Sequence, residues 1–254
     1  MKHSIALQTI LFKEIYRFVR IWPQTLLPPA VTTTLYFLIF GKLIGSRIGS
    51  MGGIPYMDYI VPGVILMSVI TNAYGNVVAS FYSTKFQRHI EELLIAPVPN
   101  WIILTGYVGG GVARGLLVGG VVGGISVLFT DLRPQHLEVI AGIFLLTATL
   151  FSLAGFLNAL FADSFDDISI VPNFVLTPLV YLGGVFYSID LLPEFWRNVS
   201  LANPMLYMIN AFRFGFLGIS DVNVGHAFLI ITGFIVVLAC WALLLLHRGT
   251  GLKS

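Results

Sequence analysis

The chain has 254 residues, of which 57% are hydrophobic and 10% charged, with a net charge of +2. A soluble domain carries about 25% charged residues, so this composition, with a mean hydropathy of +0.89, argues against a soluble enzyme, a secreted disulfide domain or a disordered chain. The small net charge argues against nucleic acid as a partner, and the lone Cys240 sits in an apolar run as an inert thiol.

Residues 1–21 read as an amphipathic interfacial helix. Leu7, Leu11, Ile15, Phe18 and Trp22 recur at helical spacing, with Lys13, Arg17 and Arg20 largely opposite. Such a helix lies in the headgroup layer with its basic face toward anionic lipid. The competing reading is an early extension of the first span. Lys13, Glu14, Arg17 and Arg20 speak against a cleavable signal, whose apolar region carries no charge.

A spanning helix needs roughly 20 mostly apolar residues. Charge-poor stretches predict spans near 22–43, 60–82, 101–129, 138–161, 168–188 and 226–247. The runs are continuous rather than alternating, which argues against a β-barrel. Pro28 and Pro29 fall in the first, Pro62 in the second, Pro172 and Pro178 in the fifth. Lipid tolerates them only where neighbouring helices satisfy the freed carbonyls, so a packed bundle is expected.

Between the second and third spans, Phe86, Ile90, Leu93 and Leu94 share one helical face, while Lys85, Arg88, Glu91 and Glu92 occupy much of the rest and Pro97 ends the run. This predicts a short amphipathic helix able to dock on a partner; the plainer alternative is a solvated connector grazing the membrane. The third span is glycine-rich, with Gly111, Gly115, Gly119 and Gly123 four apart. Small residues at that spacing let helices approach closely in lipid, either to pack the bundle or to let this helix move. Arg114 is the one clear intramembrane charge, fourteen residues after Asn100, or roughly 20 Å of helix rise. At midspan an arginine is costly and is expected to face protein or water, with a structural partner or a substrate role both open.

Asp163, Asp166 and Asp167 cluster before the fifth span. No His or Cys lies near them and no calcium-loop spacing is present, so a solvated turn is the expected reading, with Asp166 and Asp167 favouring the next helix N-terminus. From 187 to 221 the sequence is too aromatic for a plain loop and reads as short helices in the outer leaflet, where Tyr and Trp are favoured.

Orientation follows from Lys and Arg. With the N-terminus inside, the cytoplasmic side holds Lys2, Lys13, Arg17, Arg20, Lys85, Arg88, Arg248 and Lys253, and the outer side Lys42, Arg47, Arg133, Arg197 and Arg213. The expectation is an all-α integral membrane protein, one transmembrane domain over 1–254, with both termini cytoplasmic. There is no GxxxxGK[ST] phosphate loop, HExxH, GxSxG or CxxC, and the five histidines show no metal spacing.

The order of these parts resembles a family. The run Tyr181-Leu182-Gly183-Gly184-Val185-Phe186-Tyr187, then Leu191-Leu192-Pro193-Glu194-Phe195-Trp196, Asn203-Pro204-Met205-Leu206-Tyr207 and Asn210-Ala211-Phe212-Arg213, together with Glu91-Glu92-Leu93-Leu94-Ile95-Ala96-Pro97, is similar to the permease subunits of type-2 ABC (ABC-2) transporters, and closest to the short bacterial members linked with drug or polysaccharide export. The resemblance implies a homodimer in the bacterial inner membrane, paired with a separate ABC ATPase that carries ATP and magnesium, this chain binding no cofactor itself. It implies that 85–97, with Lys85, Arg88, Ile90, Glu91, Glu92, Leu94 and Pro97, is the coupling helix seated on the ATPase. It also implies that Leu192, Pro193, Trp196, Asn203, Pro204, Tyr207 and Arg213 belong to outer gate helices. The alternative is an ion-coupled or facilitative carrier, which predicts intramembrane acids or an inverted repeat; neither is evident. The cargo is not legible.

Overall fold

The computed structural model describes residues 2–251, and of Lys2 and Leu94 it describes the backbone alone. Lys253 and the side chains of Lys2 and Leu94, all named above from the sequence, therefore lie outside the described residues.

Helix α1 (Lys2–Arg20) turns at Ile21 into α2 (Trp22–Tyr36), with Pro23 at its start and Pro28 and Pro29 inside. That helix continues through wider π-helical turns, Phe37–Ile44, into α3 (Gly45–Ile48). A two-residue hairpin follows, β1 (Ser50–Met51) antiparallel to β2 (Ile54–Pro55), with Ser50 opposite Pro55. Its turn puts Gly52 and Gly53 at φ 61° and 81°, which a tight hairpin requires and glycine permits. Then come α4 (Tyr56–Phe86), α5 (His89–Ile95), α6 (Asn100–Ser126) and α7 (Leu137–Phe161). α8 (Asp167–Val171), a π-helical turn Pro172–Leu176 and α9 (Thr177–Leu182) form one broken helix; α10 (Glu194–Leu201), α11 (Pro204–Leu217) and α12 (Val224–Arg248) complete the chain.

Five helical stretches among the described residues are long and apolar enough to cross a membrane: Trp22–Ile48, Tyr56–Phe86, Asn100–Ser126, Leu137–Phe161 and Val224–Arg248. The all-α membrane class holds. The fifth expected span, 168–188, differs: the helix runs only from Asp167 to Leu182, about 24 Å of rise against about 30 Å of hydrocarbon. Gly183 and Gly184 end it, Gly184 at φ 77°, and Pro172 opens its wider turn, where the Thr177 hydroxyl donates to the Pro172 carbonyl at 2.9 Å.

α4 is the inner post. Its most apolar stretch is 72% buried, against 17% for the α2 stretch and 22% for α12, so α2 and α12 present most of their surface outward. α4 packs chiefly on α6 and α7. Close approach is made by small residues, as expected where lipid supplies no hydrophobic drive between helices: a Cβ at Gly155 of α7 would meet the Tyr74 carbonyl oxygen of α4 at 2.6 Å. Phe81, Tyr107 and Phe156 fill the centre, Phe81 and Phe156 with ring centroids 4.3 Å apart.

The first helix packs on α6, rotated from its expected face. Ile10, Glu14 and Phe18 are buried, while Ile15 and Trp22, read on the same apolar face as Phe18, are exposed along with Ile5, Phe12, Tyr16 and Val19. Apolar residues stand on both sides of the helix, and the carboxylate of Glu14 faces in with Ile10 and Phe18. In lipid the outward environment is itself apolar, so the water-based rule for orienting an amphipathic helix does not fix which face turns inward.

Candidate functional site

The expected helix at 85–97 is divided. Lys85 and Phe86 belong to the last turn of α4, Gln87 and Arg88 turn the chain, and α5 begins at His89. Arg88 makes the turn at φ 61°, a left-handed conformation uncommon outside glycine. Ile90 is buried, while Arg88, Glu91, Glu92 and Pro97 are exposed, flanked by the exposed Phe86 and Ile95. Glu91 and Glu92 stand in the first turn of α5, where the helix dipole favours negative charge.

Lys85 does not share this exposed face. Its Nζ donates to the carbonyls of Leu160 at 3.1 Å and Ala162 at 2.7 Å, with Asp163 Oδ1 3.8 Å away. A helix C-terminus leaves its last carbonyls without intrahelical partners, and Lys85 supplies the donors for the end of α7. Tyr82 donates to the Asp163 carbonyl beside it at 3.0 Å. The base of α4, which carries α5, is thus tied to the base of α7. In the turn that follows, the Asp167 carboxylate accepts from the amides of Asp163 and Ser164 at 3.0 and 2.9 Å, and the Ser164 hydroxyl accepts from the Asp167 amide. This reciprocal cap holds the Asp167 carboxyl below its ordinary range, the Asp163 amide contributing most.

A cavity of about 370 Å³ lies between α2, α4, α6 and α9. Ser68, Thr71 and Asn72 of α4 line one wall, Gln24, Thr32 and Thr33 of α2 another, and Arg114 of α6 reaches into it. Tyr36 and Tyr181 stand at its edge, their hydroxyls 3.0 Å apart, beside a ring cluster with Phe40 and Phe186. The Arg114 Nε is buried without a hydrogen-bond partner among the described residues.

The glycines of α6 serve two faces. Gly106, Gly109 and Gly110 receive Ile10, Leu11 and Glu14 of α1. Of the stripe read from the sequence, Gly111 faces Val77 and Ser152, Gly115 faces Ala73 at 2.9 Å, and Gly119 lies between Val69 and Phe144. Gly123 departs from them: an added Cβ would meet only Ile65, at 3.9 Å.

At the opposite end from α5, the residues proposed together from sequence separate into two groups. Leu192, Pro193 and Trp196 sit at or on α10, with Trp196 and Pro193 exposed and Leu192 half-buried. Asn203 is buried; its side chain caps α11 by accepting from the Met205 amide at 3.0 Å and donates to the Leu179 carbonyl at 2.6 Å. Pro204 occupies the first turn of α11, and the Tyr207 hydroxyl donates to the Leu201 carbonyl at 2.9 Å.

Arg213, counted with the outer-side cations, lies on α11 and is buried. Its side chain is only 1% exposed. Nη2 donates to the Gly184 carbonyl at 2.6 Å, Nε to the Tyr59 carbonyl at 3.3 Å and Nη1 to Asn210 Oδ1 at 3.3 Å, with the guanidinium 3.9 Å over the Tyr59 ring. It joins α11, the start of α4 and the turn after α9.

A charge pair between α1 residues at the α4 contact was missed from sequence. Glu14, 0% exposed, accepts from the Ser80 hydroxyl at 2.7 Å and pairs with Arg17 at 3.3 Å; Arg17 donates to Asn76 Oδ1 at 2.7 Å and to its carbonyl at 3.0 Å. The available signal was the i, i+3 spacing of the two charges opposite Asn76 and Ser80, four apart on α4.

Residues 5–217 match the family described as ABC-2 type transporter. The inner membrane transport permease YadH of Escherichia coli strain K12 is 60% identical over 252 residues, 98% of each chain. Nodulation protein J of Rhizobium leguminosarum bv. viciae is 23% identical across 75% of this chain and 74% of its own. The nodulation protein J of Rhizobium meliloti strain 1021 is 22% identical across 75% and 73%.

Proposed function

The chain belongs to the ABC-2 type transporter family, and from that premise we propose that it is the membrane subunit of an ATP-driven exporter, acting as a homodimer with a separate ATPase that carries ATP and magnesium. It is a transport permease and a multi-pass inner-membrane protein, and membership implies an ABC ATPase partner in general. In our reading α5 and both termini are cytoplasmic, α5 seats in a groove of the ATPase, and α10 and α11 form the outer gate. The second copy covers the outward apolar faces of α2 and of the π-helical turn before α9, where Leu27, Val31, Leu35 and Phe174 stand exposed.

The observation that carries the reading is α5 itself. It is a seven-residue helix at the foot of the 31-residue α4, with Glu91, Glu92 and Ile95 presented outward and Lys85 fastening its base to α7. Displacing α5 therefore displaces the main post of the bundle. The test is co-expression with the ATPase, reading complex recovery and cargo-linked turnover. Glu91→Lys/Glu92→Lys is expected to abolish both while the permease still folds. A charge-reversed permease that assembles and couples normally refutes the assignment.

A further inference from the structure

Arg114 sits midway along α6 and projects into the cavity between α2, α4, α6 and α9. Every other residue lining that cavity is uncharged. Guanidinium does not shed its proton in proteins, and a charge held in a low-dielectric interior is costly until it is paired. Arg114 makes no ion pair among the described residues, and its buried Nε has no hydrogen-bond partner. The buried acid of the bundle is committed elsewhere: Glu14 is held by Arg17 and Ser80.

The polar groups around Arg114 do not replace an anion. Ser68, Thr71 and Asn72 each donate to a carbonyl of their own helix, at 3.1, 3.0 and 3.0 Å, and as neutral groups they bring no charge to balance the guanidinium. Gln24 and Thr32 line the opposite wall, and Pro28, Pro29, Met67 and Val180 supply apolar surface beside them. The volume, about 370 Å³, lies at the low end for small-molecule sites; it admits a headgroup or a small amphiphile rather than a whole diacyl lipid.

From this we infer that the cavity is a binding site for one anionic group, a phosphate or carboxylate, carried on a partly apolar ligand and received by Arg114. The guanidinium fork matches either oxyanion bidentately, and the ligand supplies the partner charge that the protein withholds. As a statement about cargo class this rests on the transport reading; as a binding site it does not.

The test uses the purified permease in dodecyl maltoside, where a neutral headgroup is always in excess, and measures binding of dodecyl phosphate. Wild type is expected to bind it saturably, Arg114→Gln roughly tenfold or more weakly, and Arg114→Lys, which keeps the charge but not the fork, to fall between them. Inorganic phosphate that competes at similar concentration assigns the site to small anions; failure to compete assigns it to amphiphiles or bilayer lipid, and both outcomes support an anion site. Equal binding by a monodisperse Arg114→Gln overturns it. Should that variant not fold, wild type that binds uncharged dodecanol as tightly as dodecyl phosphate overturns it equally. ATPase co-purification is scored separately, so failure of the transport reading and failure of the site are distinguishable.

Discussion

Replacing Arg17 with methionine keeps the length of the side chain and removes the counter-charge of Glu14. Glu14 is 0% exposed and Arg17 31%, so the variant leaves a carboxylate at the α1–α4–α6 junction with only the Ser80 hydroxyl. Removing one partner of a buried pair costs roughly 3–5 kcal/mol, whereas replacing both is often close to neutral. The Asn76 side chain and carbonyl also lose their donor, but the carbonyl retains its place in α4. The expectation is a loss of roughly 3–5 kcal/mol for Arg17→Met. At roughly 2–4 °C per kcal/mol for a chain of this size, the midpoint falls by roughly 6–20 °C. Glu14→Gln keeps the shape and a polar partner for Ser80, and costs about 1–2 kcal/mol. Glu14→Gln/Arg17→Met should be more stable than Arg17→Met alone by about 2 kcal/mol, because the unpaired charge is gone. The assay is a double-mutant cycle on thermal unfolding in one detergent at pH 7. A double variant that melts at or below Arg17→Met, or additive single effects, refutes the claim that the pair is a coupled buried unit.

Three further outcomes follow from the same geometry. Lys85→Met orphans the Leu160 and Ala162 carbonyls and should cost about 2–3 kcal/mol, read as a lower melting midpoint, while Asp163→Asn, 90% exposed and 3.8 Å from the ammonium, should change it by less than about 1 kcal/mol. Gly155→Ala forces a Cβ against the Tyr74 carbonyl at 2.6 Å and should destabilise by about 1–3 kcal/mol, whereas Gly120→Ala, with nothing within 4 Å, should leave the monodisperse yield and melting unchanged. Arg213→Met removes donors from the Gly184 and Tyr59 carbonyls and should raise proteolysis in the 183–187 turn, measured by limited digestion against wild type.

The membrane class, the helices and their order were legible because charge is scarce and sits where spans end. The stripe Gly111, Gly115 and Gly119 was legible because spacing alone places small residues on one face. The partners of Lys85 and Arg213 were not legible, for one shared reason. A sequence shows a cation near a span end and suggests headgroups or solvent, but it does not show which helix ends nearby with carbonyls lacking donors. Lys85 meets the end of α7, some 75 residues on, and Arg213 the carbonyl of Tyr59, 154 residues back. The rotation of α1 was hidden because Phe12 and Tyr16 are as apolar as Leu7 and Phe18, and only the partners Asn76 and Ser80 decide that Glu14 turns inward.

Those long-range ties converge on α4, and that gives the helix its mechanical character. At one end Arg213 holds the Tyr59 carbonyl and at the other Lys85 holds the end of α7, while Ser80 and Asn76 between them fix α1. The residues of α4 that line the cavity, Ser68, Thr71 and Asn72, lie between these anchors. The side of the cavity formed by α2 and α9 is different: π-helical turns interrupt both segments, Phe37–Ile44 and Pro172–Leu176, and only the Tyr36–Tyr181 hydroxyl contact and the adjoining rings join them at the edge. The α4 wall is pinned by buried charges, whereas the Tyr36–Tyr181 hydrogen bond that joins α2 to α9 is between neutral groups and worth about 1 kcal/mol. A change in cavity width is therefore expected to be taken up by α2 and α9 against a fixed α4. The corresponding check is a Tyr181→Phe variant, which should open the α2–α9 edge to a cysteine-directed probe at Thr177→Cys several-fold faster while leaving the melting midpoint within about 2 °C. Unchanged labelling would place the compliant wall elsewhere.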